Sequence, residues 1–218
     1  MTDADAAFQS TWLQFCAAPH LLGPSPGERA RWAAGRPRYA VWAIRIEHEG
    51  VLGRIATLQT QLAAWTRPID LSDIHVTVWV AGFPCAEPSL NDDIRAVDLD
   101  RQTDALQGEP SFRLSIGRAN SFTTAPFLEV RDLDGGLDRI RSILAACGPP
   151  ELRFAAYRPH VTIGTATASH PVPPVRACLE PHRQLASIEV GVRCIEQLRF
   201  DASQPGARLH THRTVVLS

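Results

Sequence analysis

The stretch Ile74-His75-Val76-Thr77-Val78-Trp79-Val80 decides how this chain is read, because its central phrase returns 85 residues later as His160-Val161-Thr162-Ile163. Both copies are rich in β-branched residues and alternate, which is the pattern of a strand. Residues two apart on a strand share a face and stand about 6.6 Å apart. His75 and Thr77 therefore point one way, while Ile74, Val76, Val78 and Val80 point toward a core. His160 and Thr162 stand in the same relation to Val161 and Ile163. Two such strands meeting across a groove would present two imidazoles and two hydroxyls to one anion. That is an anion site with an acid and a base already in it.

Working outward, Tyr39 to Glu47 alternates as a strand, with Ala40, Trp42, Ile44 and Ile46 on one face and Tyr39, Val41, Ala43 and Arg45 on the other. Val51 to Trp65 has helical spacing, and Ser72-Asp73 leads into the first motif. Two prolines and a glycine mark 82–89 as a loop; a helix is expected over Asp92 to Leu106, a strand over Ser111 to Gly117 and a polar connection over Arg118 to Thr124. The order then begins again: a strand from Phe127 to Val130, a helix from Leu137 to Cys147, and the second motif strand. A proline-rich loop, Pro171 to Pro174, a helix from Val175 to Leu185 and strands near Ile188 to Cys194 and Arg208 to Leu217 complete the chain. Strand, helix, motif strand, loop, helix, strand thus occurs twice, an internal duplication of about ninety residues. The expectation is an α+β fold of two lobes related by a pseudo-twofold axis, with a central groove between two antiparallel-containing sheets. The bilobal domain would span 39–218, its halves approximating 39–125 and 126–218 with room for strand exchange. Residues 1–38 would form a partly helical arm whose Phe8, Trp12 and Phe15 pack on the body.

Composition bounds the partners. With 218 residues, 44% of them hydrophobic and 21% charged, the chain has the balance of a globular protein, and its net charge of -1 provides no global field toward nucleic acid or membrane. Five dispersed cysteines without a CxxC fit free thiols in a reducing compartment. Asp3 and Asp5 stand near the start with no basic region before an apolar stretch, which argues against a secretory signal, and no run is long enough to span a bilayer. A cytoplasmic monomer without membrane contact is expected.

The chemistry concentrates in the repeated phrase. Histidine titrates near neutrality, so one copy can hold a proton while the other lacks it, making His75 and His160 the candidate catalytic pair. Thr77 and Thr162 would each donate a hydroxyl to a non-bridging phosphoryl oxygen, where charge accumulates. No carboxylate or cysteine cluster offers a metal site near the motifs, and His210 and His212 lack an evident third ligand, so neither a metal nor a cofactor is expected. There is no GxxxxGK[ST], no strand-linked GxGxxG and no GxSxG, which removes the usual support for nucleotide hydrolysis, dinucleotide redox chemistry and serine acyl transfer.

His75-Val-Thr-Val and His160-Val-Thr-Ile resemble the paired HxTx motifs of the 2H phosphoesterase superfamily, which includes bacterial RNA 2',3'-cyclic phosphodiesterases, also described as 2'-5' RNA ligases. The resemblance covers Tyr39 to Leu217. It implies a bilobal α+β fold, metal-independent chemistry on a phosphodiester, catalytic roles for His75 and His160, and phosphate binding by Thr77 and Thr162. Family precedent favours His75 as acid and His160 as base for release of a 2'-phosphate. Arg158, two residues before His160, would share its face and meet a phosphate; its counterpart is Asp73, a candidate orienting acid. Tyr157 and Phe122 are candidate stacking platforms. The arm and the sparse basic residues favour a mononucleotide cyclic phosphate or a terminal RNA nucleotide over an extended RNA. Alternatives are a 2'-5' RNA ligase acting on RNA ends and a nucleotide-binding sensor without turnover.

Overall fold

The computed structural model describes residues 3–25, 27–151 and 156–218. In chain order it contains α1 (Asp3–Ala17), β1 (His20–Leu21), α2 (Glu28–Ala33), β2 (Arg38–Arg45), α3 (Glu49–Gln61), β3 (Thr66–Pro68), β4 (His75–Cys85), β5 (Asp93–Arg95) and α4 (Ala96–Ala105). There follow β6 (Phe112–Ser121), β7 (Pro126–Asp132), α5 (Gly136–Ala146), β8 (His160–Thr162), β9 (Gly164–Ala166), β10 (His170–Pro171), α6 (Val172–Leu179), β11 (Ile188–Val192), β12 (Cys194–Asp201) and β13 (His210–Val216). Short 3-10 turns lie at Leu71–Asp73 and Glu180–Gln184.

The main sheet runs β11-β6-β7-β8-β4-β2-β12-β13, with β5 attached to β4. Its two antiparallel halves meet where the motif strands meet, through the single pair Val76 and Val161. Read outward from that junction, β4-β2-β12-β13 matches β8-β7-β6-β11 position for position. In each half the motif strand is flanked by the strand that precedes it across one helix, α3 in the first and α5 in the second. Strands are exchanged between the halves: β6 joins the half-sheet of the second motif, and β12 and β13 join that of the first.

Alternation explains how one sheet serves two purposes. Val76, Val78, Val161, Leu128, Val130, Trp42 and Ile44 bury one face together with Val51, Ile55 and Leu58 of α3 and Leu137, Ile140 and Leu144 of α5. Each large apolar side chain buried there contributes about 1.5–3 kcal/mol relative to exposure, so the motif strands are held rigidly from behind. On the opposite face of the first half, Tyr39, Val41 and Ala43 of β2 form a smaller cluster with Phe83, Leu198 and Ala33 of α2. The register of β2 on β4 sets Ala43 beside Thr77 and Arg45 beside His75, which places the motif side chains on this second face.

The N-terminal residues pack on the body. Phe8, Trp12 and Phe15 of α1 are buried. Phe8 meets Phe127 of β7 at 6.3 Å between ring centroids, and its carbonyl accepts a hydrogen bond from Asn120 Nδ2 at 2.9 Å. Beyond α2, Arg36 bridges Asp92 and Asp93 at 2.6 Å each while its guanidinium lies 3.8 Å over the Phe83 ring. Burial opposes ionisation of Asp93, but the Ser89 and Leu90 amides and Arg36 outweigh it and hold the carboxyl down at about 2.

Several boundaries differ from the pattern-based expectation. The segment expected as a loop from residue 82 begins as strand: β4 runs through Pro84 to Cys85, where it pairs in parallel with β5 at the margin of the sheet, a position that tolerates proline. Residues expected as one helix from Asp92 divide into β5 and α4. The polar connection expected from Arg118 is a continuation of β6 through Ser121, because a bulge between Ile116 and Ala119 restores pairing and Asn120 finds buried partners in Phe8 and Glu129. The strand expected up to Cys194 ends at Val192, and β12, not anticipated, is a separate strand. The helix expected over Val175 to Leu185 begins at Val172 and tightens into a 3-10 turn where Pro181 interrupts it.

Gly82 takes φ +112 at the irregular end of β4, and an added Cβ would press directly on the Asp92 carbonyl oxygen, which already accepts the Phe83 amide at 2.7 Å. Neither the backbone angle nor the contact can relax without breaking the β4–β5 pairing. Gly82→Ala should therefore lower unfolding free energy by about 2–4 kcal/mol, read as a lower urea midpoint at unchanged slope.

Candidate active site

Antiparallel order about Val76 and Val161 puts Thr162 on the His75 side of the junction and His160 on the Thr77 side. All four side chains therefore share one face of the sheet, with the histidines on one diagonal and the threonines on the other. Diagonal partners on adjacent strands stand about 7–8 Å apart, a gap that a phosphoryl group fills.

Each imidazole is fixed in the same way. His75 Nδ1 lies 2.7 Å from the carbonyl oxygen of Asp73, and His160 Nδ1 lies 2.7 Å from that of Arg158. A carbonyl only accepts, so each Nδ1 carries a proton and exchange is confined to Nε2. The backbone before His75 is itself pinned. Asp73 closes the 3-10 turn at Leu71–Asp73, where Asp70 Oδ1 accepts from the Ser72 amide at 2.9 Å and the Ser72 hydroxyl at 2.7 Å.

The two histidines have unlike surroundings. Beside His75, Arg45 contacts Glu196 at 2.8 Å and Asp73 at 3.4 Å. Burial pushes the His75 pKa below its ordinary value; the Asp73 carbonyl opposes that shift, and the Arg45 charge adds to it. His160 instead rests against aromatic edges, Phe122 at 5.0 Å and Phe127 at 5.3 Å, and is paired across strands with Glu129. Glu129 is buried, which raises its pKa, although Asn120, Arg183, Arg118 and Arg131 favour the ionised form.

A cleft of about 730 Å³ opens on this face. His75, Thr77 and Thr162 line it, and His160 stands next along the same strand beyond its margin. Arg67 and Thr165, cross-strand partners in the small β3–β9 sheet, line one side; Trp32, Tyr39 and Phe200 line another. Tyr157 and Arg158 are not among its lining residues. The Tyr157 hydroxyl donates to the Thr77 carbonyl at 2.8 Å and Arg141 covers its ring at 3.8 Å, so it braces the first motif strand from behind. Burial raises its phenol pKa strongly. Arg158 contributes its carbonyl to His160, and its buried Nε has no hydrogen-bond partner among the described residues. At Asp73 it is likewise the carbonyl that meets the imidazole, while the carboxylate accepts the Leu209 amide at 3.2 Å. Phe122 is stacked on Phe127 at 4.4 Å and forms the support of His160. Trp32, Phe200 and Arg67 were not singled out from the sequence. The first lies in an arm with no motif of its own, the second in the unanticipated β12. Among the described residues no group of three or more His, Cys, Asp or Glu side chains gathers as a metal site, and no helix is long and apolar enough to cross a membrane.

An α+β fold with a curled sheet, paired half-sheets and a groove over the junction is that of the 2H phosphoesterases. Residues 52–204 match the model of the 2'-5' RNA ligase superfamily, and the chain belongs to that family. No curated protein sequence matches it. Among solved structures, Escherichia coli LigT complexed with 3'-AMP superposes with a TM-score of 0.61 at 18% identity, covering 84% of this chain and 99% of that one. TT0787 of Thermus thermophilus gives 0.59 at 20%, covering 82% and 97%.

The low pKa of His75 has a direct consequence. Its imidazole is neutral in the empty cleft at neutral pH, and an anion placed between Thr77 and Thr162 would favour the charged form. In proton NMR titrations His75 should titrate below 6.5, the ordinary value, and its pKa should rise on addition of inorganic phosphate. A titration at or above 6.5 without phosphate would contradict the burial that the fold imposes. Because the folded pKa is depressed, the sign for stability follows: His75 costs stability as pH falls through 6.5 toward the folded value.

Proposed function

We propose that the protein is a metal-independent phosphodiesterase that hydrolyses a 2',3'-cyclic phosphate, or a related small phosphodiester, by general acid-base catalysis between His75 and His160. The observation that carries this reading is the matched tether of the two imidazoles, each held through Nδ1 by the carbonyl two residues before it, on strands that meet at one residue pair. The LigT structures with phosphate and with 3'-AMP support a phosphate ligand of nucleotide size in this fold.

In the forward reaction Nε2 of one histidine takes a proton from water as the oxygen attacks phosphorus opposite the leaving ribose oxygen. The P–O bond to that ribose oxygen breaks, and Nε2 of the other histidine gives it a proton. Thr77 and Thr162 donate hydroxyls to the equatorial oxygens, and the cyclic diester becomes a monoester with the proton count conserved. Assigning the acid to His75 fits its setting in one respect: the substrate phosphate restores the proton that burial disfavours, so the acid is loaded as substrate binds. With a terminal ribose 5'-hydroxyl in place of the attacking water, the same displacement would form a new P–O bond, break the cyclic ester bond to the leaving ribose oxygen and join two RNA ends.

Wild-type protein should convert 2',3'-cyclic nucleotides to monoesters in the presence of a chelator, with phosphorus NMR identifying the product. His75→Ala and His160→Ala should each reduce turnover at least about 100-fold, the value of losing acid or base assistance. Full turnover in both variants would refute the assignment. Joined product from 5'-hydroxyl and cyclic-phosphate ends would favour ligation, and binding without turnover would favour a sensor. With the acid on His75, kcat/KM should fall above the low pKa of the free enzyme, and the corresponding limb of kcat should lie at higher pH.

A further inference from the structure

Residues 3–38 precede the family match, which begins at residue 52. Six of them, Leu22, Gly23 and Pro24 and then Glu28, Arg29 and Trp32 of α2, nevertheless line the cleft that holds His75 and Thr77. Trp32 is half-buried, and its indole meets Tyr39 edge-on at 4.6 Å and Phe83 at 5.1 Å; Tyr39 meets Phe200 at 5.6 Å. With Val41 and Leu209, the rings of Trp32, Tyr39 and Phe200 make one wall of the cleft apolar and aromatic, while its centre is polar.

The spacing of that wall from the centre follows from register. Ala43 is the cross-strand neighbour of Thr77. Val41 and Tyr39 lie two and four residues further along the same face, about 7 and 13 Å away. That separation is what a ribose and base extend from a phosphate. Trp32 is also held in place from both sides of the wall. Its carbonyl accepts from Arg36 at 2.9 Å, and Arg36 is fixed by Asp92 and Asp93. One turn earlier, Arg29 donates to the Ala202 carbonyl at 3.3 Å.

We infer that this wall is a stacking subsite for the nucleobase of the substrate, with Trp32 its specificity-determining residue. The inference rests on the phosphodiesterase reading and extends it by assigning a residue outside the family match to the base of the substrate. Val41, Phe200 and Leu209 offer a base apolar contact, so the subsite holds a base by stacking and discriminates against substrates without one.

The test compares 2',3'-cyclic AMP and CMP with methyl riboside 2,3-cyclic phosphate, which lacks the base, in wild type, Trp32→Ala, Trp32→Leu and Trp32→Phe. Thermal melting monitors folding. Trp32→Ala and Trp32→Leu should lower kcat/KM for both nucleotides by roughly 5- to 100-fold relative to the base-free substrate, the range seen when a stacking ring is removed. Trp32→Phe should restore most of the difference. Equal losses on all three substrates, or no loss on any, would overturn the subsite and leave the phosphodiesterase reading intact. If wild type turns over none of them, that reading falls and calorimetry decides the subsite separately. There, 3'-AMP binding weakened in Trp32→Leu while inorganic phosphate binding is kept would support it, and equal binding by both proteins would overturn it.

Discussion

The pairing of Val76 with Val161 is the contact on which the rest of the arrangement depends. It is one residue pair long, yet it makes two half-sheets into one surface and fixes which motif residues neighbour which. Because side chains alternate along a strand, slipping either strand by one residue would send its histidine and threonine into the apolar layer beneath α3 and α5. The buried valines on the core face therefore specify the polar face. Their packing protects the register more strongly than hydrogen bonding across so short a junction could.

Symmetry sets the positions of the four motif side chains, and its failure outside them differentiates their chemistry. Both imidazoles are oriented by a backbone carbonyl, an acceptor that cannot titrate. What differs is the charge placed around them. His75 lies next to Arg45 with Asp73 and Glu196 behind it, whereas His160 lies between two phenylalanines with Glu129 in the next strand. Two groups with the same intrinsic pKa must hold different numbers of protons if one is to give and the other to take. Burial and Arg45 lower the pKa of His75, while the matched carbonyl tethers keep the geometry of the pair shared.

Much of this was legible in the chain. The repeated phrase, the alternating face of β2 and the helical spacing of α3 and α5 are periodic signals, and periodicity reports burial directly. What was not legible depends on partners remote in sequence. β12 reads poorly as a strand because Glu196, Gln197 and Arg199 interrupt its apolar residues; Gln197 is nevertheless fully buried beside Trp42. Asn120 in β6 looks like a turn residue until Phe8 and Glu129 satisfy it. The shared face of His160 and Thr162 could be read from spacing alone, but the use of the Arg158 and Asp73 carbonyls could not, since main-chain acceptors leave no residue-type signature.

The N-terminal residues then relate to both halves at once. α1 lies on the second half, where Phe8 reaches Phe127 and the Trp12 indole lies 4.2 Å beneath the Arg183 guanidinium. α2 lies on the first, clipped by Arg36 to Asp92 and Asp93. Between them β1 pairs with β10, just after the second motif region. A segment bound to both half-sheets resists any motion that separates them, and the distance between the two imidazoles is the quantity such a motion would change. The polar face gains little rigidity from its own residues, because a groove must stay open to admit a ligand. Holding it from the core side and across its ends reconciles an accessible groove with a fixed spacing of the side chains that face it.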